Sequence, residues 1–167
     1  IDPAEVTIAL NELELNAGNG VSLDSIKKDF DQIFVCSSNW HPQKRLKENV
    51  ELFQHIKRSK FPNAALLILG KNTTSDAFQN IDRSINPSIF YVGSLSHKQC
   101  LQVYKQANYM IHLAWLDHAP NTVVEALSCG CLILHSSEGG TKELVGDFGI
   151  MLNENNVYDF SLNDYDN

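Results

Sequence analysis

The chain has 167 residues, of which 43% are hydrophobic and 20% are charged, a composition typical of one folded globular domain and unlike that of a disordered or fibrous chain. Its net charge of −7 argues against a nucleic-acid-binding protein, because gripping phosphates along a nucleic acid needs a basic face. No uninterrupted apolar stretch approaches the roughly 18 residues of a membrane span, and the first residues lack the basic flank and apolar core of a secretion signal.

The first 30 residues are predicted to lead into the domain. Residues 5–10, "EVTIAL", could form one strand, and residues 16–29, "NAGNGVSLDSIKKD", are predicted to be a polar loop or insertion. The folded domain is predicted to span residues 31–153. The acidic, asparagine-rich end, residues 154–167, is expected to fray unless something packs on it.

From residue 31 onward, short apolar runs alternate with longer amphipathic ones, which indicates strands and helices wound into a parallel sheet. The predicted strands are apolar runs that end in small or polar residues: 32–38, 64–70, 88–93, 109–115 and 131–137. The predicted helices are 44–60, a weaker one at 74–84, 97–107, one from Pro120 to Gly130, and a short one from Thr141. Ser96 and Gln99 form a capping-box pair at the start of the third helix.

The four cysteines, at 36, 100, 129 and 131, lie in or beside apolar runs. Cys129 and Cys131 flank a glycine, but no second pair accompanies them, so buried thiols are favoured over a zinc site. Free thiols are typical of a reducing compartment, and we expect a cytoplasmic protein.

In an open parallel sheet the ligand crevice lies at the carboxyl ends of the strands. The loops that follow the predicted strands are 38–44, 70–74, 93–96, 115–120 and 137–141. Residues of these loops are therefore expected to face one cleft, namely Asn39 and Lys44, the segment 93–96, the segment 117–122 and the segment 139–141.

The helix that begins at Pro120 predicts an anion site in this cleft. Its first amides, at Asn121, Thr122 and Val123, have no partner within the helix and favour negative charge. Lys44 follows another strand end and could add a point charge to a phosphate at the same place.

Two carboxylates lie on either side of that helix start, and carboxylates near an anion indicate contacts to hydroxyl groups. Glu125 lies one helical turn beyond Asn121 on the same face, and Asp117 precedes the helix. This arrangement suggests a nucleotide diphosphate sugar, with the ribose at Glu125, the diphosphate at the helix start and Lys44, and the transferred sugar at Asp117.

Residues 115–145, "WLDHAPNTVVEALSCGCLILHSSEGGTKELV", carry a family pattern. It reads Asp117, seven residues, Glu125-Ala126, a glycine, an apolar strand, Gly139-Gly140 and Glu143. Upstream, "VCSSNWHPQKRL" resembles the family's phosphate-binding loop, and "IDPAEVTIALNELEL" resembles the linker that leads into the domain. The chain thus resembles, over nearly its whole length, the C-terminal donor-binding half of a retaining glycosyltransferase of the GT-B fold (glycosyltransferase group 1, family 4-like).

This resemblance implies an α/β, Rossmann-like parallel sheet flanked by helices, forming one half of a two-domain enzyme. It implies transfer of a hexose-type sugar from a UDP- or GDP-sugar, with retention and without a cofactor or a bound metal, and assigns Asp117 and Lys44 as catalytic. The donor-binding residues that it implies are Asn39, Arg45, Gly93, Ser94, Leu95, His118, Ala119, Pro120, Asn121, Thr122, Glu125, Gly139 and Gly140. The acceptor, a glycan, lipid or protein, would bind an N-terminal domain expected before residue 1, and that domain would also carry any membrane association. Without the N-terminal domain, the donor-binding domain is expected to be inactive.

The chain departs from the family pattern at several positions, one of which is Leu113-Ala114, where Pro-Ser is usual after the strand. Asp117 stands where a glutamate is usual, Asn39 where an arginine helps to hold the diphosphate, and Arg45 where a glycine is usual. We hypothesise that Arg45 partly compensates for the charge missing at Asn39.

Two other functions remain open. One is a catalytically silent subunit that binds a nucleotide sugar, which the substitutions at Asn39 and Asp117 favour. The other is one half of a nucleotide-sugar epimerase. A dinucleotide dehydrogenase is disfavoured because no strand ends in G-x-G-x-x-G. His112, inside an apolar strand, is interpreted as a core residue, whereas His118 could contact the donor or simply be exposed.

Overall fold

The computed structural model describes residues 22–71, 87–115 and 117–154. In these residues six strands form one sheet: β1 (Gln32–Ser37), β2 (Ala64–Leu69), β3 (Ile89–Gly93), β4 (Tyr109–His112), β5 (Leu132–Ser136) and β6 (Gly149–Leu152). Their order is β3-β2-β1-β4-β5-β6, and every pair is parallel. This is the strand order of the Rossmann fold, in which the direction of winding reverses between β1 and β4.

The described helices are α1 (Leu23–Asp29), α2 (Leu46–Ser59), α3 (His97–Gln106), α4 (Asn121–Ser128) and α5 (Thr141–Val145), with short 3-10 turns at Pro42–Lys44 and Gly146–Phe148. They cover both faces of the sheet. Successive residues of a strand point to opposite faces, so Ile33 and Val35 pack in one core layer while Phe34 and Cys36 pack in the other. Burial on both sides explains why the strands read as continuous apolar runs.

The five predicted strands are confirmed, and four of them match to within one or two residues. The exception is β4, which ends at His112 instead of continuing to 115. There the backbone leaves the sheet, because the amide of Leu113 donates to Oδ1 of Asn49 (3.4 Å) and that of Trp115 donates to the carbonyl of Gln43 (3.0 Å). The helices predicted from 44, 97, 120 and 141 are confirmed, including the capping box of Ser96. The elements predicted at 5–10 and 74–84 lie outside the described residues.

The prediction of a polar loop over 16–29 is wrong for residues 23–29, which form α1. The Ser22 side chain caps this helix by accepting from the amide of Ser25, and Leu23 and Ile26 bury themselves in the core one turn apart. An N-cap followed by two apolar residues at helical spacing was the signal within this polar stretch. The domain boundaries themselves remain a prediction.

Strand β6 was not predicted. It has four residues, and it pairs with β5 from Ile133↔Gly149 to Ser136↔Leu152. A run this short gives too little periodicity to identify a strand from sequence.

Candidate functional site

The fold brings Lys44 and Asp117 together at the point where the winding reverses. Lys44 ends the 3-10 turn after β1, and Asp117 lies in the loop after β4, the neighbouring strand. The Lys44 ammonium donates to Oδ2 of Asp117 at 2.5 Å, with both side chains more than four-fifths buried. Because the carboxyl ends of these two strands frame the ligand crevice of such folds, the ion pair marks the candidate site.

His112, the last residue of β4, reaches the same carboxylate. Its ring is buried, as the sequence indicates, and its Nε2 lies 3.3 Å from Oδ2 of Asp117. That distance is within ion-pair range, although the ring N–H is not in line for a full hydrogen bond. His112, and then Lys44, hold the pKa of Asp117 well below its usual range, while partial burial opposes them. Asp117 is therefore a carboxylate at neutral pH.

The amino end of α4 adjoins this loop. Pro120 is the N-cap, and the amides of Asn121 and Thr122 donate to no described residue. The amide of Val123, which was expected to be free, instead donates to the carbonyl of Pro120 at 3.0 Å. Pro120 offers no side-chain oxygen to cap the helix, so its carbonyl closes a tight first turn. Two amides remain to bind an anion.

Gly140 joins the loop after β5 to the loop of Asp117. Its amide donates to the carbonyl of Asp117 at 2.8 Å. A Cβ placed on Gly140 would lie 2.0 Å from the carbonyl oxygen of His118, so a side chain has no room here. The neighbouring Gly139 has a φ of +83°. The double glycine of the sequence pattern thus serves a close approach of two backbones at the site.

Glu125, in the second turn of α4, contacts His97, the first residue of α3. His97 Nε2 lies 3.1 Å from Oε1 of Glu125, and the carboxylate remains about one-quarter exposed. Sequence reasoning did not single out His97. The signal was its position directly after the capping Ser96, which is the last residue of the loop expected to face the cleft.

Arg45 does not join Lys44 at Asp117. Its backbone is left-handed, with a φ of +53°, and its side chain is almost fully buried. The guanidinium donates to Glu154 (2.6 Å) and to the carbonyl of Leu113 (3.1 Å), and it stacks on Trp115. These partners give it a structural role here, so its role at a phosphate remains a prediction. They also show that Glu154, the first residue of the predicted tail, packs on the domain.

The remaining predicted donor-binding residues lie on the loops at the carboxyl ends of the strands. Those whose side chains or backbone are exposed are Asn39, Ser94, His118, Ala119, Asn121 and Gly139. Gly93 and Leu95 are partly buried, and Leu95 packs against the core. Their contacts with a donor stay predictions.

A depression of about 570 Å³ lies at the amino ends of the strands, across the sheet from the candidate site. It is lined mainly by apolar residues at the end of α4 and at the amino ends of β5 and β6, among them Leu127, Leu132 and Phe148. It therefore does not belong to the candidate site. Within the described ranges, no three His, Cys, Asp or Glu side chains gather to form a metal site. No helix in the part of the chain that the structure describes is both long and apolar enough to cross a bilayer.

Most of the chain matches one protein family. Residues 24–162 match the family of glycosyl transferases group 1. The chain belongs to this glycosyltransferase family. A curated relative, an uncharacterized glycosyltransferase (MJ1059) of Methanocaldococcus jannaschii, is 26% identical over 146 residues, which are 83% of this chain and 36% of the relative. The chain thus spans about a third of the relative's length.

Solved structures share the GT-B type of fold at low sequence identity. WaaG, a glycosyltransferase involved in lipopolysaccharide biosynthesis, superposes with a TM-score of 0.64 at 16% identity over 79% of this chain and 36% of WaaG. The GtfA/B complex gives a TM-score of 0.61 at 16% identity, over 77% of this chain and 26% of the matched chain. AviGT4, a glycosyltransferase involved in avilamycin A biosynthesis, gives a TM-score of 0.55 at 18% identity, over 74% of this chain and 37% of AviGT4.

Proposed function

We propose that this glycosyltransferase domain binds the sugar donor, a UDP- or GDP-hexose, for transfer to an acceptor. The observation that carries the proposal is the meeting of Lys44 and Asp117 where the winding reverses, beside two amides at the amino end of α4 that donate to no described residue. A cation and helix amides suit a diphosphate, and a carboxylate suits the hydroxyl groups of a sugar.

In this arrangement each part of the donor has a partner. The diphosphate lies at the amides of Asn121 and Thr122 and at Lys44. The ribose lies at Glu125, whose carboxylate is partly exposed and already holds a hydrogen-bonding partner in His97. The transferred sugar lies at Asp117, and the base lies along the backbone of residues 93–95.

The reaction breaks the bond between the anomeric carbon and the distal phosphate oxygen. The nucleoside diphosphate leaves with the bonding electrons, an acceptor hydroxyl oxygen forms the new bond to carbon, and the proton of that hydroxyl passes to the departing phosphate oxygen. Lys44 and the helix amides stabilise the charge that develops on the leaving phosphate. Asp117 orients the sugar. We infer retention at the anomeric carbon, and a reaction without a metal ion, from the sequence resemblance alone.

We further propose that the acceptor, a glycan, lipid or protein, binds a separate N-terminal domain. The support is length: the relatives are about three times as long as the matched part of this chain. The chain alone then binds donor but does not transfer sugar. A cytoplasmic location remains part of the same proposal.

Calorimetric titration tests donor binding. UDP, GDP, ADP and their glucose or mannose conjugates are titrated into the chain and into Glu125→Ala. Glu51→Ala is the matched control, because it removes an exposed carboxylate on α2 whose one ion-pair partner among the described residues is Lys47. We expect one nucleotide to bind the chain and the control equally and to bind Glu125→Ala at least about tenfold more weakly. Equal binding to both variants would refute the placement of the ribose.

A silent donor-binding subunit is the second candidate, and the shorter acid at Asp117 favours it. Supplying the acceptor domain of a related enzyme, fused or in trans, distinguishes the two functions. Transfer of sugar from the bound donor shows an enzyme, whereas binding without transfer or hydrolysis in any pairing supports the silent subunit.

A further inference from the structure

We propose that His112 is a positioning residue that takes over the carboxylate of Asp117 when Lys44 turns to the donor diphosphate. This inference rests on the proposed function and deepens it. The Lys44 ammonium has two roles: it donates to Asp117 at 2.5 Å in the structure, and the proposed function assigns it to the diphosphate.

Asp117 cannot simply lose its partner. Its carboxylate is only 17% exposed, and a buried charge left without a compensating group is strongly destabilising. A diphosphate arriving nearby adds repulsion between like charges. The hydroxyl groups of a bound sugar would donate to Asp117, but a nucleoside diphosphate without its sugar brings no such donor, so a second protein group must hold the carboxylate while Lys44 is engaged elsewhere.

His112 has the geometry of that second donor. Its Nε2 lies 3.3 Å from Oδ2, the same oxygen that Lys44 holds. The nitrogen is buried and has no aligned hydrogen-bond partner among the described residues, so its contact with Asp117 can still strengthen when Lys44 withdraws. A small rotation of the carboxylate brings Oδ2 into line with the ring once the ammonium withdraws.

The position of His112 in the fold keeps this donor in place. It is the last residue of β4, and it is paired in register with His135 of the neighbouring strand β5. Lys44 in contrast ends a short turn on a flexible side chain. The rigid His112 thus stays with Asp117, and the flexible Lys44 moves to the diphosphate.

The test is a double-mutant cycle on nucleotide binding. UDP, GDP and ADP are titrated into the chain, His112→Leu, Asp117→Asn and the double variant, with His112→Gln as the conservative variant that keeps an N–H donor. We expect His112→Leu to weaken binding about tenfold in the native background but less than about twofold beside Asp117→Asn, because the residue acts through Asp117. We expect His112→Gln to recover most of the affinity.

Equal losses from His112→Leu in both backgrounds, or equal losses from the Leu and Gln variants, would overturn the inference and indicate a packing role. A second measurement is independent of ligand: the ¹⁵N shifts of the His112 ring are expected to change in Asp117→Asn, and unchanged shifts overturn the inference alone. If the native chain binds none of the three nucleotides, the proposed function fails instead, and with it the release of Lys44. Thermal unfolding of each variant verifies that it is folded.

Discussion

Replacing Gly140 with alanine tests whether the contact between the loops after β4 and β5 is fixed. The φ of Gly140 is −78°, which any residue adopts, so the substitution costs nothing in backbone conformation. The cost is steric: the new Cβ would lie 2.0 Å from the carbonyl oxygen of His118, whereas unbonded atoms settle about 3.5 Å apart. One loop must move by more than about 1 Å.

The matched control is Gly130→Ala, at the turn between α4 and β5. Its φ is +92°, and a Cβ there meets nothing within 4 Å, so this substitution carries conformational strain without a clash. Strain of about 1–2 kcal/mol is partly offset by the loss of unfolded-state freedom, which leaves a net cost of about 1 kcal/mol. Overpacking at Gly140 is expected to cost about 3 kcal/mol.

Urea unfolding of both variants measures these free energies, and nucleotide titration measures the site. We expect Gly140→Ala to be destabilised by about 2 kcal/mol more than Gly130→Ala, and to lose nucleotide affinity that the control retains. A Gly140→Ala variant as stable as the control, with unchanged binding, would show that the two loops give way freely and would refute the reasoning.

Four further predictions concern single side chains. The pKa of Asp117 is depressed in the folded state, so its ionised carboxylate stabilises the fold above about pH 4 and this contribution is lost below that pH. On acidification the native chain should therefore lose thermal stability more steeply than Asp117→Asn. Cys36 and Cys131 should resist iodoacetamide at pH 8, as peptide mapping would show, because burial raises the pKa of both thiols, that of Cys131 to about 12. Asn49→Ala should cost about 2 kcal/mol in urea unfolding, since the buried amide donates to the carbonyl of Arg45 at 2.7 Å. Arg45→Gly should leave nucleotide affinity unchanged if the guanidinium is structural; a clear loss on titration would restore its hypothesised role at a phosphate.

Sequence patterns predicted most of the fold because a strand that is buried on both faces appears in the sequence as an apolar run that ends in small or polar residues. Strand β2, for example, is buried at all six positions, and its composition shows this directly. Helix α1 escaped prediction because polar residues surround its two core contacts, Leu23 and Ile26. Helices such as this one are stabilised by packing more than by local preference.

The loops that form the candidate site could be predicted from the sequence, whereas the contacts between their side chains were harder to predict. Strand ends and glycines locate loops, so Lys44 and Asp117 could be placed in one cleft before the structure was known. A histidine inside an apolar run is predicted to be a core residue. The contact of His112 with Asp117 follows only from the observation that β4 ends at His112. A three-residue difference in that strand end decides whether the ring serves packing alone or also borders the cleft.

Two adjacent cations, Lys44 and Arg45, show how one backbone angle sets the electrostatics of the site. The left-handed conformation of Arg45 turns the chain between them, so the ammonium meets Asp117 while the guanidinium is buried against Glu154. The conformation costs about 1 kcal/mol or more, which a glycine would avoid. Keeping arginine there ties the loops after β1 and β4 to the chain that leaves β6, and it withholds a cation from the cleft. Under the proposed function a diphosphate then depends on Lys44 and the amides of α4, and this dependence is the reason that a second donor for Asp117 matters.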